Sequence, residues 1–381
     1  MERPAWQTWI SGQAVLSHAT GVSARVIIGY AAITMGAGPT ELGLVAASFA
    51  IPSLVGAYPL GRFADIAGGA RAILIGTLIN LGGLIGSFWA DSLLLLLACC
   101  CALGVGHVAC LIGQQTLVAH RVADAHADSA FGNLTAASSV GQLVGPLVAA
   151  ASLSAANGIE AGIRIGLASS IVMTILATGL SLLLLRDHRR GDRTGATDER
   201  DQRTPPWAVL WRSLLVSGIV LAAVDLMYTF MPLWGEEHGY SPAIVGALLS
   251  TRAVASIVSR IGLGRLTARF GRKLVLTVPL LAGGIAFAAL PWLPVWGAVA
   301  VMLVIGIALG VPQPLTVTWL ITGITRSARG RLLGWRLTSN RFAQSTLPVV
   351  VGVASADAGS TAVFSAIAIL LAASALVSAT S

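Results

Sequence analysis

Charged side chains are scarce in this sequence, and lysine is nearly missing. Only 10% of the 381 residues are charged, Lys273 is the single lysine, and 55% of the residues are hydrophobic. A soluble domain of this length needs far more charge to cover its surface, so a water-soluble protein is excluded. The mean hydropathy of +0.82 instead indicates membrane-spanning helices, each of which needs roughly 20 apolar residues.

Cysteine is also rare, and its placement excludes a disulfide framework. Cys99, Cys100, Cys101 and Cys110 all lie in one apolar stretch. Cys100, His107 and Cys110 share one helical face and could bind a soft metal. However, no acidic ligand lies nearby, and a cysteine in an apolar helix usually behaves as a small hydrophobic residue. We therefore expect no metal and no other cofactor. No nucleophile–base spacing or phosphate loop indicates an enzyme.

Long apolar runs separated by charged residues predict an all-α membrane protein with twelve transmembrane helices. The short segment before the first run predicts no cleavable signal peptide. We expect an N-terminal half at 1–185, a cytoplasmic linker at 186–206 and a C-terminal half at 207–381. The predicted spans are 11–35, 40–60, 72–90, 93–117, 129–152, 162–185, 208–232, 242–262, 274–293, 296–322, 332–354 and 361–379.

Arginine placement predicts the orientation of these spans. The loops after the even-numbered spans contain many arginines, such as Arg62, Arg121 and Arg265, whereas the opposite loops hold mainly acids, such as Asp91 and Glu160. Because positive loops stay inside, we expect a multi-pass protein of the cell membrane with both termini in the cytoplasm. The arginines thus indicate topology and contact with lipid, and they predict no nucleic-acid partner.

The two halves repeat each other in sequence. Glycine, serine and proline positions recur at an offset of 203 residues, and later positions recur at 202. The pairs are Pro39/Pro242, Gly43/Gly246, Ser53/Ser256, Gly61/Gly264, Gly68/Gly271, Gly132/Gly334, Gln142/Gln344 and Pro146/Pro348. Both arginine-rich loops must face the same side, so the repeat holds an even number of spans. Six spans per half fit, and parallel repeats of this kind place a solute site near mid-membrane.

Two equivalent loops carry a family resemblance. The stretch after the second span reads Gly61-Arg62-Phe63-Ala64-Asp65-Ile66-Ala67-Gly68-Gly69-Ala70-Arg71, and its repeat runs from Gly264 to Lys273. This stretch resembles the signature loop of the major facilitator superfamily. The resemblance implies the major facilitator fold and a conformational latch at the cytoplasmic side, made by Gly61, Asp65, Gly68, Arg71, Gly264 and Gly271. Ala268 replaces the carboxylate in the second copy, so one latch is expected. Alternatively, the loop serves positive-inside topology alone.

The fifth span carries a second motif, Gly141-Gln142-Leu143-Val144-Gly145-Pro146. It resembles the glycine–proline motif of the exporting antiporter branch of the same superfamily, although Ala149 and Ala150 stand where that motif continues with glycines. The resemblance implies export, with Gly141, Gly145 and Pro146 as the motif residues. The alternative is a kink needed only for packing, since proline frees a backbone carbonyl. The arginine that many proton-coupled members carry in the fourth span is replaced by Cys100.

Ionisable residues within spans are costly, so each is a functional hypothesis. Asp225 is the only carboxylate well inside a predicted span. We predict that Asp225 carries a proton as its surroundings change, with His18 or His107 as substitutes. The alternative is a static Asp225–arginine pair that holds helices together.

Arginines outnumber acids in the predicted spans, which favours an anionic or zwitterionic solute, because the guanidinium group binds carboxylates and phosphates. Arg25 and Arg252 are the preferred contacts, whereas Arg260 and Arg336 are expected to extend to the cytoplasmic surface. The predicted solute-binding residues are Arg25, Arg252, Asn340, Arg341, Gln142, Gln344, Gln313 and Tyr228.

Together these features predict a secondary active transporter that works by alternating access. The favoured function is proton-coupled export of a small amphiphilic or anionic organic molecule. An importer or facilitator of small organic anions would share the fold and the arginines without needing Asp225 protonation. A membrane sensor without transport would keep the fold and show no flux. We expect a monomer, because each chain encloses a complete translocation path.

Overall fold

The computed structural model of the chain describes residues 5–122, 124–188, 207–321 and 326–379, and within these ranges all regular structure is helical. The first six helices are α1 (Ala5–Thr34), α2 (Pro39–Ala67), α3 (Gly69–Phe88), α4 (Leu93–Arg121), α5 (Asp124–Ser154) and α6 (Ile159–His188). The remaining helices are α7 (Trp207–Glu237), α8 (Pro242–Val258), α9 (Leu263–Ala289), α10 (Val295–Gly310), α11 (Pro312–Ile321), α12 (Arg326–Ala354) and α13 (Gly359–Ala379).

The predicted all-α fold with twelve spans is confirmed. The predicted tenth span appears as α10 followed by α11, with the interruption at Val311, just before Pro312. Proline lacks the backbone N–H that would continue the helical ladder, but it is well suited to the first position of a new helix. Within the described residues, nine helical stretches are long and apolar enough to cross a membrane, and one of them joins α10 to the start of α11.

The three helices outside this set of nine are α1, α8 and α12. Helix α8 has only 17 residues. Helices α1 and α12 are instead interrupted by polar side chains, including His18 and Arg25 in α1 and Asn340 and Gln344 in α12. Since polar groups at membrane depth are costly, we expect functional residues in these helices.

The stretch after the second span is more helical than the sequence predicts. Helix α2 continues through Gly61 and Asp65 to Ala67, so the turn reduces to Gly68, with φ 91° and ψ 143°. The equivalent Gly271 kinks α9 with nearly the same angles, φ 79° and ψ 151°. This backbone region is sterically open to glycine and costly for residues with a Cβ.

The repeat is also visible in the backbone. Among the described residues, positive φ values occur at Gly36, Gly68, Gly158, Gly239, Gly262, Gly271 and Gly359. Six of them form pairs between the halves, namely Gly36/Gly239, Gly68/Gly271 and Gly158/Gly359. Gly262 has no such partner because Pro59 stands at the equivalent position, inside α2. The two halves therefore turn at the same places, as the sequence repeat predicts.

The described residues form two compact units. Unit 1 comprises those within 1–36 and 48–196, and unit 2 those within 37–47 and 197–381. The first turns of α2 thus belong to unit 2, where Gly43 packs against the backbone of Pro348 and Gly352. The predicted linker at 186–206 lies largely outside the described residues, so its role as the boundary between the halves stays a prediction.

Candidate functional site

Asp225 of unit 2 belongs to a hydrogen-bonded chain between α7 and α12. Its side chain is 5% exposed. The Gln344 amide Nε2 donates to Asp225 Oδ2 over 2.7 Å, and an Arg341 guanidinium nitrogen donates to Gln344 Oε1 over 3.1 Å. The neutral amide therefore connects a buried carboxylate to an arginine, each bond using the donor and acceptor that the amide offers.

The close approach of α7 and α12 explains why these side chains meet. A Cβ placed on Gly218 would lie 2.9 Å from Ala343 Cβ and 4.0 Å from Asn340 Cα. Asp225 follows Gly218 by two helical turns, and Gln344 follows Asn340 by one, so both polar stripes face the same contact. Asn340 and Gln344 stand four residues apart, so they lie on one face of α12 against α7.

Arg252 of α8 is paired with Tyr228 of α7. Its guanidinium carbon lies 5.1 Å from the centre of the Tyr228 ring, and one guanidinium nitrogen donates to the Tyr228 hydroxyl. Both side chains are buried, at 3% and 2% exposure. A buried cation over an aromatic face is stabilised by the quadrupole of the ring, so Tyr228 orients Arg252.

Asn340 differs from its neighbours in this polar set, because its whole carboxamide lacks partners, whereas Arg252, Arg336 and Gln313 each have a single buried nitrogen without one among the described residues. It is 2% exposed, and neither its Oδ1 nor its Nδ2 has a hydrogen-bond partner among the described residues. Buried polar groups in native proteins are nearly always paired, because an unpaired group loses its hydration without compensation. Since both amide atoms lack partners, either orientation of the carboxamide gives the same result.

The expectation that Arg336 reaches the surface is wrong. Arg336 is 9% exposed, and its guanidinium donates to Gln313 Oε1 over 2.8 Å and to Thr316 Oγ1 over 3.4 Å. Side chains at the start of α11 thus provide the hydrogen-bond acceptors that water would provide at the membrane surface. Gln313, predicted to bind solute, uses its side-chain oxygen for this internal bond. Arg260 is half-buried, and its Nε donates to the Gly310 carbonyl over 3.4 Å.

In unit 1, the structure brings the two predicted proton-carrying histidines together. His18 of α1 and His107 of α4 make an edge-to-face contact, with ring centres 5.2 Å apart. Arg25, two turns after His18, places its guanidinium carbon 5.2 Å from the centre of the Phe49 ring. Phe49 was not among the predicted residues, because a phenylalanine in an apolar span gives no separate signal.

Unit 1 also contains a buried polar network, built around Gln13 and Gln114. Gln114 Nε2 donates to Gln13 Oε1 over 2.6 Å, and Gln13 Nε2 donates to Thr77 Oγ1 over 3.3 Å. The Thr77 hydroxyl also contacts Cys110 Sγ at 3.4 Å and Ser181 Oγ at 3.3 Å. The network joins α1, α3, α4 and α6. The glutamine at position 13, in a span that also carries His18 and Arg25, was the signal that could have indicated it.

The glycines of the fifth-span motif lie directly against α1. A Cβ on Gly141 would lie 2.4 Å from the Val15 carbonyl oxygen, and one on Gly145 would lie 2.7 Å from the Ala19 carbonyl oxygen. Gln142 is half-buried between them, and Pro146 lies inside the continuous helix α5. The motif therefore brings two backbones into close contact, as small residues at four-residue spacing do in membrane helices.

The predicted latch residues lie at the end of α2 and the kink of α9. Asp65 is exposed in unit 1, and an Arg71 guanidinium nitrogen donates to the Ala67 carbonyl over 3.2 Å, where it satisfies the end of α2. Gly264 lies within the first turn of α9. Cys100, at the position of the missing arginine, is fully buried in α4. A latching role for these residues stays a prediction.

Comparison with known proteins gives one family. A sequence profile described as Major Facilitator Superfamily matches residues 13–344 and again 214–380. A comparison with curated protein sequences gives no significant match.

Solved structures agree with the family profile. The nucleoside transporter NupG matches with a TM-score of 0.74 at 14% identity, over 98% of this chain and 97% of that one. A point mutant of NupG matches with a TM-score of 0.78 at 14% identity, over 98% of each chain. A bacterial homologue of the human lysosomal transporter Spinster, in an inward-facing and occupied conformation, matches with a TM-score of 0.71 at 16% identity, over 98% of this chain and 93% of that one. At these identities the structures establish the fold, and the profile establishes the family. The chain belongs to the major facilitator superfamily and is a multi-pass membrane transporter.

Proposed function

We propose that this protein is a proton-coupled exporter of a small amphiphilic or anionic organic molecule, working by alternating access in the cell membrane. The observation that carries this proposal is the chain from Arg341 through Gln344 to the buried Asp225. It involves the one carboxylate that the sequence places well inside a span, at a point where a change of protonation must rearrange a contact between two helices. The protein acts as a monomer with both termini in the cytoplasm.

Protonation of Asp225 changes the hydrogen bonding of Gln344. The ionised carboxylate only accepts, so it pairs with the Gln344 N–H, whereas the protonated form also donates. A donating Asp225 competes for Gln344 Oε1, the atom that now accepts from Arg341. Proton uptake on one side would therefore shift Arg341 away from this acceptor and towards the solute. Proton release on the other side would restore the chain.

The remaining predicted residues have supporting roles in this scheme. His18 and His107 form a pair that can exchange a proton in unit 1, and the Asp65–Arg71 stretch latches the cytoplasmic side. Gly141, Gly145 and Pro146 keep α5 against α1, which favours rigid-body movement of unit 1. Charges at membrane depth mark solute and proton paths in general, which supports this assignment.

The experiment uses purified protein in liposomes that contain a pH-sensitive dye. Anionic, zwitterionic and cationic solutes are added with and without an imposed pH gradient, and a nucleoside is included because NupG is a nucleoside transporter. Asp225→Asn keeps the shape and removes the titration, so it should abolish solute-evoked proton flux. Asp91→Asn, at an exposed position between α3 and α4, is the matched control. Proton flux that survives in Asp225→Asn would refute the carrier assignment.

An importer or facilitator of small organic anions is the second candidate. It is favoured by Cys100, which stands in α4 where many proton-coupled relatives carry an arginine. In that case solute should move down its own gradient with no proton flux, and Asp225→Asn should leave the rate unchanged. Counterflow of labelled solute without a pH gradient separates this candidate from the exporter.

A further inference from the structure

The partners of the buried arginines bear on which solutes unit 2 can recognise. Arg252 is stacked on Tyr228, Arg341 donates to Gln344, and Arg336 donates to Gln313 and Thr316. Each of these cations therefore already has a partner within the protein. An anionic solute would have to compete with those partners for these three guanidinium groups, of which only the buried Nε atoms of Arg252 and Arg336 have no hydrogen-bond partner among the described residues.

Asn340 presents the opposite case. Its carboxamide is 2% exposed, and both of its polar atoms are without a hydrogen-bond partner among the described residues. It lies on the α12 face that meets α7, one turn before Gln344, whose amide binds Asp225. An unpartnered donor and an unpartnered acceptor on one planar group are complementary to a second group of the same kind.

We infer that the transported solute carries an adjacent N–H donor and carbonyl acceptor, and that Asn340 pairs with this edge through two parallel hydrogen bonds. Primary carboxamides, cyclic imides and the lactam edges of heteroaromatic rings have this chemistry. The inference rests on the proposed transport function and narrows its amphiphilic solute class. A site built to hydrogen-bond such an edge discriminates strongly against analogues that lack it, since its own groups would then stay unpaired.

The equivalent residue of unit 1 supports this assignment. Ser138 stands at the position of Asn340 in the repeat, and its hydroxyl donates to the Leu134 carbonyl one turn earlier at 3.0 Å. At that position in α5, the polar group is satisfied by its own helix. Of the two copies, only the one in α12 leaves a buried polar side chain available to a ligand.

The experiment compares thermal unfolding and flux with five probes on two ring frameworks. Nicotinamide and uracil carry the edge, N,N-dimethylnicotinamide and 1,3-dimethyluracil have lost the N–H donors, and nicotinate replaces the amide by an anion. For the wild type we expect nicotinamide and uracil to raise Tm and to cross proteoliposomes, with the methylated probes binding at least about tenfold more weakly. Asn340→Leu should remove this preference while leaving the Tm of the unliganded protein unchanged or raised.

Asn340→Ser keeps the experiment interpretable if the leucine variant folds poorly. It places in α12 the residue that unit 1 already accommodates, and it should lose the preference in the same way. Ser138→Ala is the matched control and should retain the wild-type preference. Absence of stabilisation by nicotinamide and uracil, or an unchanged preference in both Asn340 variants, would overturn the inference. Stabilisation and transport of nicotinate alone would overturn it too, but would leave the transporter proposal standing.

Discussion

Both units stack an arginine on an aromatic ring between their first two helices, but the arginine and the ring are on opposite helices in the two units. In unit 1 the cation Arg25 is on the first helix of the repeat and the ring Phe49 is on the second. In unit 2 the ring Tyr228 occupies the position equivalent to Arg25, and the cation Arg252 occupies the position equivalent to Phe49. The ring-to-cation distances are 5.2 Å and 5.1 Å. The contact between the first two helices is thus kept while both residue types change places.

The helix crossing next to it shows the same exchange. In unit 1, Gly141 of α5 packs against the Val15 backbone of α1. In unit 2, Gly218 of α7 packs against Ala343 of α12. In the repeat, Gly218 is equivalent to Val15 and Ala343 is equivalent to Gly141. One glycine per crossing is enough, and it can stand on either helix. The units differ more in their polar side chains. The unit 1 network around Gln13 joins four helices, whereas Asn340 of unit 2 stays unpaired among the described residues.

The largest expected effect comes from filling the crossing. Gly141→Val should lower the free energy of unfolding by about 3 kcal/mol, because its Cβ would lie 2.4 Å from a backbone oxygen that cannot move aside. Gly218→Ala should cost less, since it meets the Ala343 methyl group, and Ala343→Gly in the same chain should recover most of the loss. Gly132→Val, where a Cβ meets nothing within 4 Å, is the control. Thermal unfolding in detergent measures all four variants. If Ala343→Gly does not restore the stability lost in Gly218→Ala, the claim that the glycine can stand on either helix of the crossing is wrong.

The next effect is the difference in stability between losing a residue of the unit 1 network and losing the unpartnered Asn340 of unit 2. Gln114→Leu should cost about 2 kcal/mol, because Gln13 would keep a buried carbonyl oxygen without its donor. Asn340→Leu should cost nothing or stabilise, because it removes two atoms that have no partner among the described residues. The same unfolding measurement tests both variants. Equal destabilisation by the two substitutions would contradict the contrast between the units.

Much of this architecture could be predicted from the sequence because glycine and proline mark backbone geometry directly. Gly68 and Gly271 recur at a fixed offset and adopt nearly the same positive φ. The Arg25–Phe49 and Tyr228–Arg252 equivalence was not predictable, because chemically different residues occupy equivalent positions and no residue type repeats. The burial of Arg336 was missed for another reason. Its acceptors, Gln313 and Thr316, belong to a different helix, and only the fold brings them within reach.

The cation–π pairs give a third effect, no larger than the second. A double-mutant cycle on Arg252 and Tyr228 should yield a coupling of about 2 kcal/mol, because the buried pair also shares a hydrogen bond. The cycle on Arg25 and Phe49 should give about 1 kcal/mol, since phenylalanine offers only its ring face. Tyr228→Phe should bring the unit 2 coupling down to the unit 1 value. Couplings that are equal before this substitution would show that the hydroxyl adds nothing.

The smallest expected effect concerns the end of unit 2 where α7 meets the start of α13. Glu237, the last residue of α7, accepts a hydrogen bond from the Ser360 backbone N–H over 3.0 Å and another from the Ser360 hydroxyl. It therefore neutralises the N-terminus of α13 as a capping carboxylate does. In unit 1, Thr34 instead donates to the Ala31 carbonyl of its own helix. Glu237→Ala should cost about 1 kcal/mol or slightly less, whereas Glu236→Ala, one residue earlier and equally exposed, should be nearly neutral. If thermal unfolding shows the same loss for both variants, the loss comes from removing negative charge at this end of α7 and not from a specific cap by Glu237.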